Sequence, residues 1–331
     1  MTAQKEALKD MPEAAPEAAP EAAPEVDLVY AWVDGEDPQL QAEIRQYASV
    51  EDHLNPERTR DLYDLLRYSL RSAVMFAGWI NKVHIITRRP QVPAWLDTGN
   101  PRVNVIHHDE LSGFAPYLPT FNSTAIESFV HAVPGLSDHF LYLNDDFLFG
   151  APTAREDFLT AAGKHRVFGT YFGIWLPFRV YRKRWKIFSS VQLEHCPRFI
   201  YKPFWEDMLA ANRKALHRTR SSRFRAGSDL RMDRLYRMWM LGPKRRHAEA
   251  VKARELLQYH RFHRIDNARE EQARALDALR EMRAKFYCLN DDQGADPDPW
   301  VCDRVRDFLE EYYPDPSEFE RYERQERQEG P

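Results

Sequence analysis

From residue 26 onward, short apolar runs alternate with segments whose apolar residues recur at helical spacing. Val26 to Val33 ("VDLVYAWV") is aliphatic, β-branched and aromatic, which predicts a strand, and "DGEDP" ends it with turn residues. In "RDLYDLLRYSLRSAVMFAGW", Leu62, Leu65, Leu66, Ser69, Leu70 and Ala73 share a helical face, with Gly78 as a stop. "KVHIIT" and "RVNVIHH" predict a second and a third strand. "NSTAIESFVHAV" predicts a helix in which Thr124 and Glu127 have capping-box spacing, and "HFLYLND" predicts a fourth strand. Alternation of this kind points to an α/β sheet with helices on its faces.

After Gly150 the pattern changes. "RVFGTYFGIWLPFRVYRKRW" is aromatic and basic, predicting strands or long loops. "KPFWEDMLAANRKAL" predicts a helix opening at Pro203, and "SDLRMDRLYRMWML" another, with Ser228 as its candidate cap. An Arg-rich helix over roughly 268–284, a late strand "KFYCLNDD" and a closing helix "DPWVCDRVRDFLEEYYP" follow. The Pro-Glu-Ala-Ala repeats within residues 1–25 predict a solvated, extended tether. Residues 314–331 are charged and expected to fray. Residues 26–313 then form one domain, with an α/β half to residue 150 and a closing half beyond it.

Composition narrows the choices. The 331 residues are 43% hydrophobic and 13% aromatic, enough for a substantial core. A net charge of -4 argues against a nucleic-acid binder. Cys196, Cys288 and Cys302 form no CxxC pair, so a structural zinc site is not expected, and scattered thiols suit a reducing compartment. No N-terminal apolar segment resembles a signal peptide, and no run reaches the ~18 apolar residues of a membrane span. A soluble, cytoplasmic protein is expected.

The chemistry gathers at strand ends. "WVDG" ends in Asp34, and "LNDD" occurs twice, ending in Asp145–Asp146 and in Asp291–Asp292, each time after an apolar run. Asp and Asn are ordinary turn residues, but ligands of open α/β sheets bind beyond the strands' carboxyl ends. Two carboxylates about 4 Å apart repel by ~4 kcal/mol at an effective dielectric near 20. A divalent cation would relieve that repulsion, and hard oxygen ligands suit Mg²⁺ or Mn²⁺. Adjacent strand residues point to opposite faces, so both Asp145 and Asp146 reach one ion only if the strand bends or ends there. His195 lies in a segment that reads as a loop and is a candidate base. His107 and His108 read as structural or substrate-positioning. Arg218, Arg220, Arg223 and Arg225 form a basic run that suits a phosphate-bearing small substrate.

Four blocks resemble the conserved regions of the Stealth family, which includes bacterial capsular polysaccharide phosphotransferases and the animal N-acetylglucosamine-1-phosphotransferase. They are "VDLVYAWVDGEDP", the long stretch from "RDLYDLLRYSLRS" to "LYLNDDFLFG", the stretch from "EHCPRFIYKPFWEDM" to "SSRFRAGSDLRMDRLYRMWM", and "FYCLNDD". The resemblance implies a mixed, mostly parallel sheet with flanking helices, of nucleotide-diphosphosugar-transferase type, and a helical C-terminal portion. It implies transfer of a sugar-1-phosphate from a UDP-sugar donor to a glycan acceptor with release of UMP, in capsular or exopolysaccharide synthesis.

By the same resemblance Asp145 and Asp146 hold Mg²⁺ or Mn²⁺, with Asp291 beside them. Trp32, Asp34 and Gly35 line the nucleotide pocket. His195 is the base and Arg225 neutralises phosphoryl charge, with Asp34 also in the catalytic group; an Asp in place of His195 as base stays open. Asn122, Ser123, Arg223 and Asn290 contact substrate. The rival readings are a metal-dependent glycosyltransferase releasing UDP and a non-catalytic glycan-binding module. Contact with the inner face of the cell membrane, if any, is peripheral and runs through "FRVYRKRWK". The oligomeric state is left open.

Overall fold

A computed structural model describes residues 23–321, apart from 56–58, 169–196, 252–254 and 256–258. His195, Cys196 and the stretch "FRVYRKRWK" lie outside the described residues. Four strands run parallel in the order β3-β2-β1-β4: β1 (Val26–Ala31), β2 (Val83–Thr87), β3 (Val103–His107) and β4 (His139–Asn144). β7 (Arg198–Tyr201) adds an antiparallel edge beside β4, so the sheet is mixed and mostly parallel, as expected. All of β2 and nearly all of β1 are buried. Strands covered on both faces read as continuous apolar runs. The exception inside β1, Asp27, is fully buried and accepts hydrogen bonds from Asn81 Nδ2 (2.9 Å) and the Ser137 amide (2.8 Å), with His84 Nε2 at 3.1 Å.

The flanking helices are α1 (Pro38–Tyr47), α2 (Leu65–Phe76), α3 (Ser123–Glu127), α4 (Lys202–Ala211), α5 (Arg213–Ser221), α6 (Met232–Leu241), α7 (Arg269–Met282) and α8 (Pro299–Tyr312). Three local expectations change. The helix expected from Asn122 to Val133 stops at Glu127 and resumes as a 3₁₀ turn, Val130–Ala132. Its cap is Asn122, whose side chain accepts from the Thr124 amide, so Thr124 is the capped residue and not the cap. The expected helix from Lys202 breaks at Asn212, and α6 follows Arg231 rather than Ser228.

Residues beyond 150 are more than helical. β5 (Phe147–Phe149), β9 (His260–Ile265) and β10 (Phe286–Asp291) form a second sheet in the order β5-β10-β9, and β6 (His165–Val167) pairs with β8 (Ala248–Ala250). The apolar run before Asp145 therefore belongs to one sheet and the run after Asp146 to another. Helix α2 joins the two sheets through small polar residues. Ser69 Oγ bonds to the Phe147 carbonyl and lies 2.9 Å from the Tyr30 hydroxyl, while the Phe149 amide donates to Ser72 Oγ at 3.0 Å. A larger side chain at either serine would push β5 away and strand its backbone groups.

Residues 314–321 do not fray. Phe319 is buried, and Glu320 accepts from Arg71 Nε (2.8 Å) and Nη2 (2.9 Å), Arg67 Nε (2.5 Å) and the Ser317 amide (2.7 Å). The charges called this segment a tail, but the arginines of α2 that neutralise it are about 250 positions away in sequence. Burial pushes the Glu320 carboxyl upward; hydrogen bonds from Arg71, Ser317 and Arg67 outweigh it and hold the group at about 2. A depressed carboxyl stabilises the fold above its unfolded value of 4.5, and that contribution is lost as pH falls towards 2. Glu320→Gln should destabilise the protein by about 3 kcal/mol at pH 7, leaving the mostly covered Arg71 and the partly exposed Arg67 short of a partner. Urea unfolding at pH 7 and pH 3 should show the difference shrinking at the lower pH; an equal difference at both would exclude this linkage.

Candidate active site

The parallel strands deliver their carboxyl ends to one edge of the sheet, and a cavity of about 900 Å³ opens there. Each strand contributes the residues that follow it: Trp32 and Val33 after β1, Arg88 and Arg89 after β2, His108 and Asp109 after β3, and Asp145 and Asp146 after β4. The order β3-β2-β1-β4 reverses between β1 and β4, which is where open α/β sheets bind ligands.

One wall is acidic. The turn from β4 to β5 carries Asp145 and Asp146, with the Asp146 amide donating to Asp145 Oδ1 at 3.0 Å. The strand ends there, so the alternation that would send the two side chains apart no longer applies. β10 runs antiparallel to β5 and brings the second "LNDD" onto the first. The Leu289 amide donates to the Asp146 carbonyl at 2.9 Å, and Asp146 Oδ2 accepts from Cys288 Sγ (3.1 Å) and Asn290 Nδ2 (3.3 Å). Asp61 is a third carboxylate of this wall; its oxygens accept from the amides of Tyr63 (3.1 Å) and Leu65 (3.1 Å) at the start of α2. Burial, followed by the charges of Asp146 and Asp61, pushes the Asp145 carboxyl up to about 7.

Another part of the lining is rich in arginine. Arg225 donates from Nε to Ser123 Oγ at 2.9 Å. Arg198 donates to Glu127 at 2.8 Å and lies 4.4 Å above the Tyr142 ring, while Arg231 and Arg237 flank Asp233 at 3.4 and 3.8 Å. All of these side chains line the cavity. Asn122 holds the wall in place without joining it. Fully buried, it donates to the Ser222 carbonyl (3.1 Å) and Asp229 (2.8 Å), fastening the loop that carries Arg223 and Arg225 to the start of α3.

The expected site residues therefore divide. Trp32, Ser123, Asp145, Asp146, Arg225, Asn290 and Asp291 line one cavity. Asn122 sits behind it. Asp34 does not line it: the side chain is exposed and closes a turn, accepting from the Glu36 amide at 2.9 Å. Gly35 is also outside the lining, and a Cβ there would fall 1.9 Å from the Thr59 carbonyl oxygen, so glycine is needed for two loops to touch. Arg223 is exposed, its guanidinium 4.4 Å over the Tyr47 ring. Asp291, expected beside the metal, pairs with Arg60 at 2.6 Å. His195 lies outside the described residues. Sequence reasoning passed over Arg60, Asp61, Arg88 and Arg198, and read Glu127 only as a capping residue. Only "RTRD" ahead of α2 and "TRRP" after β2 carried a signal, as charges placed at the ends of elements.

Residues 24–49, 58–167 and 277–329 match Stealth protein conserved regions 1, 2 and 4, respectively. The chain belongs to the Stealth family. This Stealth chain is 34% identical over 320 residues to an exopolysaccharide phosphotransferase of Streptomyces coelicolor, covering 90% of this chain and 53% of that protein. It is 31% identical over 318 residues to the exopolysaccharide phosphotransferase CpsY of Mycobacterium tuberculosis, covering 89% and 58%. The chain thus spans little more than half the length of these relatives. Among solved structures, the galactosyltransferase LgtC is similar with a TM-score of 0.42 at 12% identity, covering 86% of this chain and 96% of that one. The glycosyltransferase GlyE of Streptococcus pneumoniae has a TM-score of 0.42 at 12% identity, covering 88% and 60%.

Among the described residues of this Stealth chain, no three His, Cys, Asp or Glu side chains form a ready-made metal cage. Mg²⁺ seldom needs one, since it commonly takes one or two carboxylates together with substrate phosphates. The acidic turn fits such an ion: its donors are hard oxygens, and burial first, then the charges of Asp146 and Asp61, raise the proton affinity of Asp145. A carboxyl raised in the folded state stabilises it only below the unfolded value of 3.8, and that contribution is lost as pH rises through about 7. Asp145→Asn should therefore raise the melting temperature of metal-free protein at pH 8, and raise it less at pH 5. Melting curves in excess chelator test this; no gain at pH 8 would mean that the Asp145 carboxyl is not raised by its surroundings.

Proposed function

We propose that this chain transfers a sugar-1-phosphate from a UDP-sugar to a glycan hydroxyl, forming a phosphodiester and releasing UMP, in capsular or exopolysaccharide synthesis. The observation that carries this reading is the division of one cavity between a carboxylate turn and an arginine wall, at the carboxyl edge of a parallel sheet. At about 900 Å³ it has room for a nucleotide sugar and the end of an acceptor. The names of the relatives point the same way.

In this reading Asp145 and Asp146 would hold Mg²⁺ or Mn²⁺, and the ion would supply charge neutralisation to the phosphates of the donor. Trp32 and the strand ends beside it receive the nucleotide. The acceptor oxygen attacks the phosphorus that bears the sugar. A new P–O bond forms, the P–O bond to UMP breaks, and the hydroxyl proton passes to a base, His195. Arg225, aimed by Ser123, meets the charge that grows on the phosphoryl oxygens. Asn290 steadies Asp146, and Asn122 sets the loop that presents Arg225.

Incubation of the purified protein with Mg²⁺, a panel of UDP-sugars and oligosaccharide acceptors should release UMP. Release of UDP would instead mean glycosyl transfer, and acceptor binding without donor consumption would mean a glycan-binding module. Asp146→Asn should abolish metal-dependent turnover while the circular dichroism spectrum is kept. His195→Ala should lower kcat by ~10²-fold or more with little change in donor KM, the pattern of a group acting in the transition state. A His195→Ala enzyme with full kcat would remove it as the base.

A further inference from the structure

One guanidinium in the acidic wall has a nitrogen to spare. Arg60 lines the cavity, and its side chain is only 10% exposed. Nε donates to Asp291 Oδ2 at 2.6 Å and Nη1 donates to the Gly294 carbonyl at 2.5 Å. Nη2 is buried and has no hydrogen-bond partner among the described residues. Neither Asp61 nor Asp291 is bonded to it. Asp61 spends its oxygens on the amides of Tyr63 and Leu65, and Asp291 Oδ1 accepts from the Gln293 amide at 3.2 Å. The backbone is pinned as firmly. The loop after β1 abuts Thr59 and Arg60 so closely that a Cβ on Gly35 would lie 2.9 Å from the Arg60 nitrogen, and Asp61 ties the following residues to α2.

We propose that Arg60 is a donor-binding residue whose Nη2 takes a phosphoryl oxygen of a nucleoside diphosphate, and that Asp291 is the positioning residue that aims it. A buried guanidinium hydrogen without an acceptor is unfavourable, and an anionic oxygen is the partner that relieves it best. Arginine offers only donors, so the ligand must present an acceptor, and the ligand that a carboxylate turn admits together with a divalent cation is a phosphate. Asp291 is engaged on both oxygens, by Arg60 through Oδ2 and by the Gln293 amide through Oδ1. Arg60 and its two anchors lie 231 and 234 positions apart in sequence, so the clamp forms only when β10 docks beside the segment leading into α2. The inference rests on the nucleotide-sugar reading above and deepens it.

Calorimetry with UDP and Mg²⁺, ligand-observed NMR with uridine, and Mn²⁺ counting by paramagnetic resonance test it on wild type, Arg60→Gln and Asp291→Asn. Arg60→Gln should weaken UDP binding roughly 10–100-fold and leave the uridine signal unchanged. Asp291→Asn should also weaken UDP binding while the number of bound Mn²⁺ ions stays at the wild-type value, which a metal ligand would not allow. UDP affinity of Arg60→Gln within twofold of wild type would overturn the Arg60 assignment, and loss of Mn²⁺ in Asp291→Asn would overturn the positioning role. Wild type that binds no UDP would instead defeat the donor reading itself, and this proposal with it. If Arg60→Gln does not fold, a crystal structure of wild type with UDP and Mg²⁺ decides: a phosphoryl oxygen within hydrogen-bond distance of Nη2 sustains the proposal, and phosphates bound elsewhere overturn it.

Discussion

Two neighbouring carboxylates cannot be set into a protein wall unless the backbone around them is held, because their mutual repulsion favours any opening that lets in water. In this chain the turn at Asp145 and Asp146 is held by strands on both sides. β4 is an interior strand of one sheet, and β5 begins the next within three residues. The Asp146 carbonyl is tied to Leu289, and its carboxylate to Cys288 and Asn290. Much of the remaining architecture serves this junction. Ser69 and Ser72 let α2 lie close over β5, and the packed residues 317–321 brace α2 through Arg67 and Arg71.

Charge in the cavity is arranged in held pairs. Arg88 is bound by Glu43, Arg198 by Glu127 and Arg60 by Asp291. Each carboxylate fixes the direction of a long, flexible side chain before a ligand arrives, so less side-chain entropy remains to be lost on binding. Such pairing also limits the repulsion among many guanidinium groups around one space. The acidic turn is the exception: burial and then the charges of Asp146 and Asp61 lift Asp145 out of the ordinary carboxylate range. Stability is given up at that point, which is the pattern expected where a site is built for an ion and an anionic ligand rather than for the fold.

Some of this was legible along the chain. The strands β1, β2, β3, β4 and β10 follow from apolar runs ended by polar residues, and the repeated "LNDD" marked two strand ends that meet in space. Other expected residues sit outside the cavity lining for local reasons. Asp34 looked equivalent to Asp146 because both follow a strand, but Asp34 closes its own turn while Asp146 is enclosed by a second sheet. Asn122 looked like a ligand contact because it opens a helix, and it is buried as a staple between loops about a hundred residues apart.

What the sequence determined alone is what periodicity and turn chemistry can encode: which segments are strands or helices, and that acidic residues close several strands. These depend on neighbours within a few positions. What only the tertiary structure decided is which of those residues face one another. The break between two sheets at Asp145, the partnership of Asp291 with Arg60 and the burial of Glu320 against α2 join residues that lie in different elements. A carboxylate's role depends on the dielectric around it and on the charges within a few ångströms. Those neighbours are set by strand order and docking, to which a linear pattern is blind.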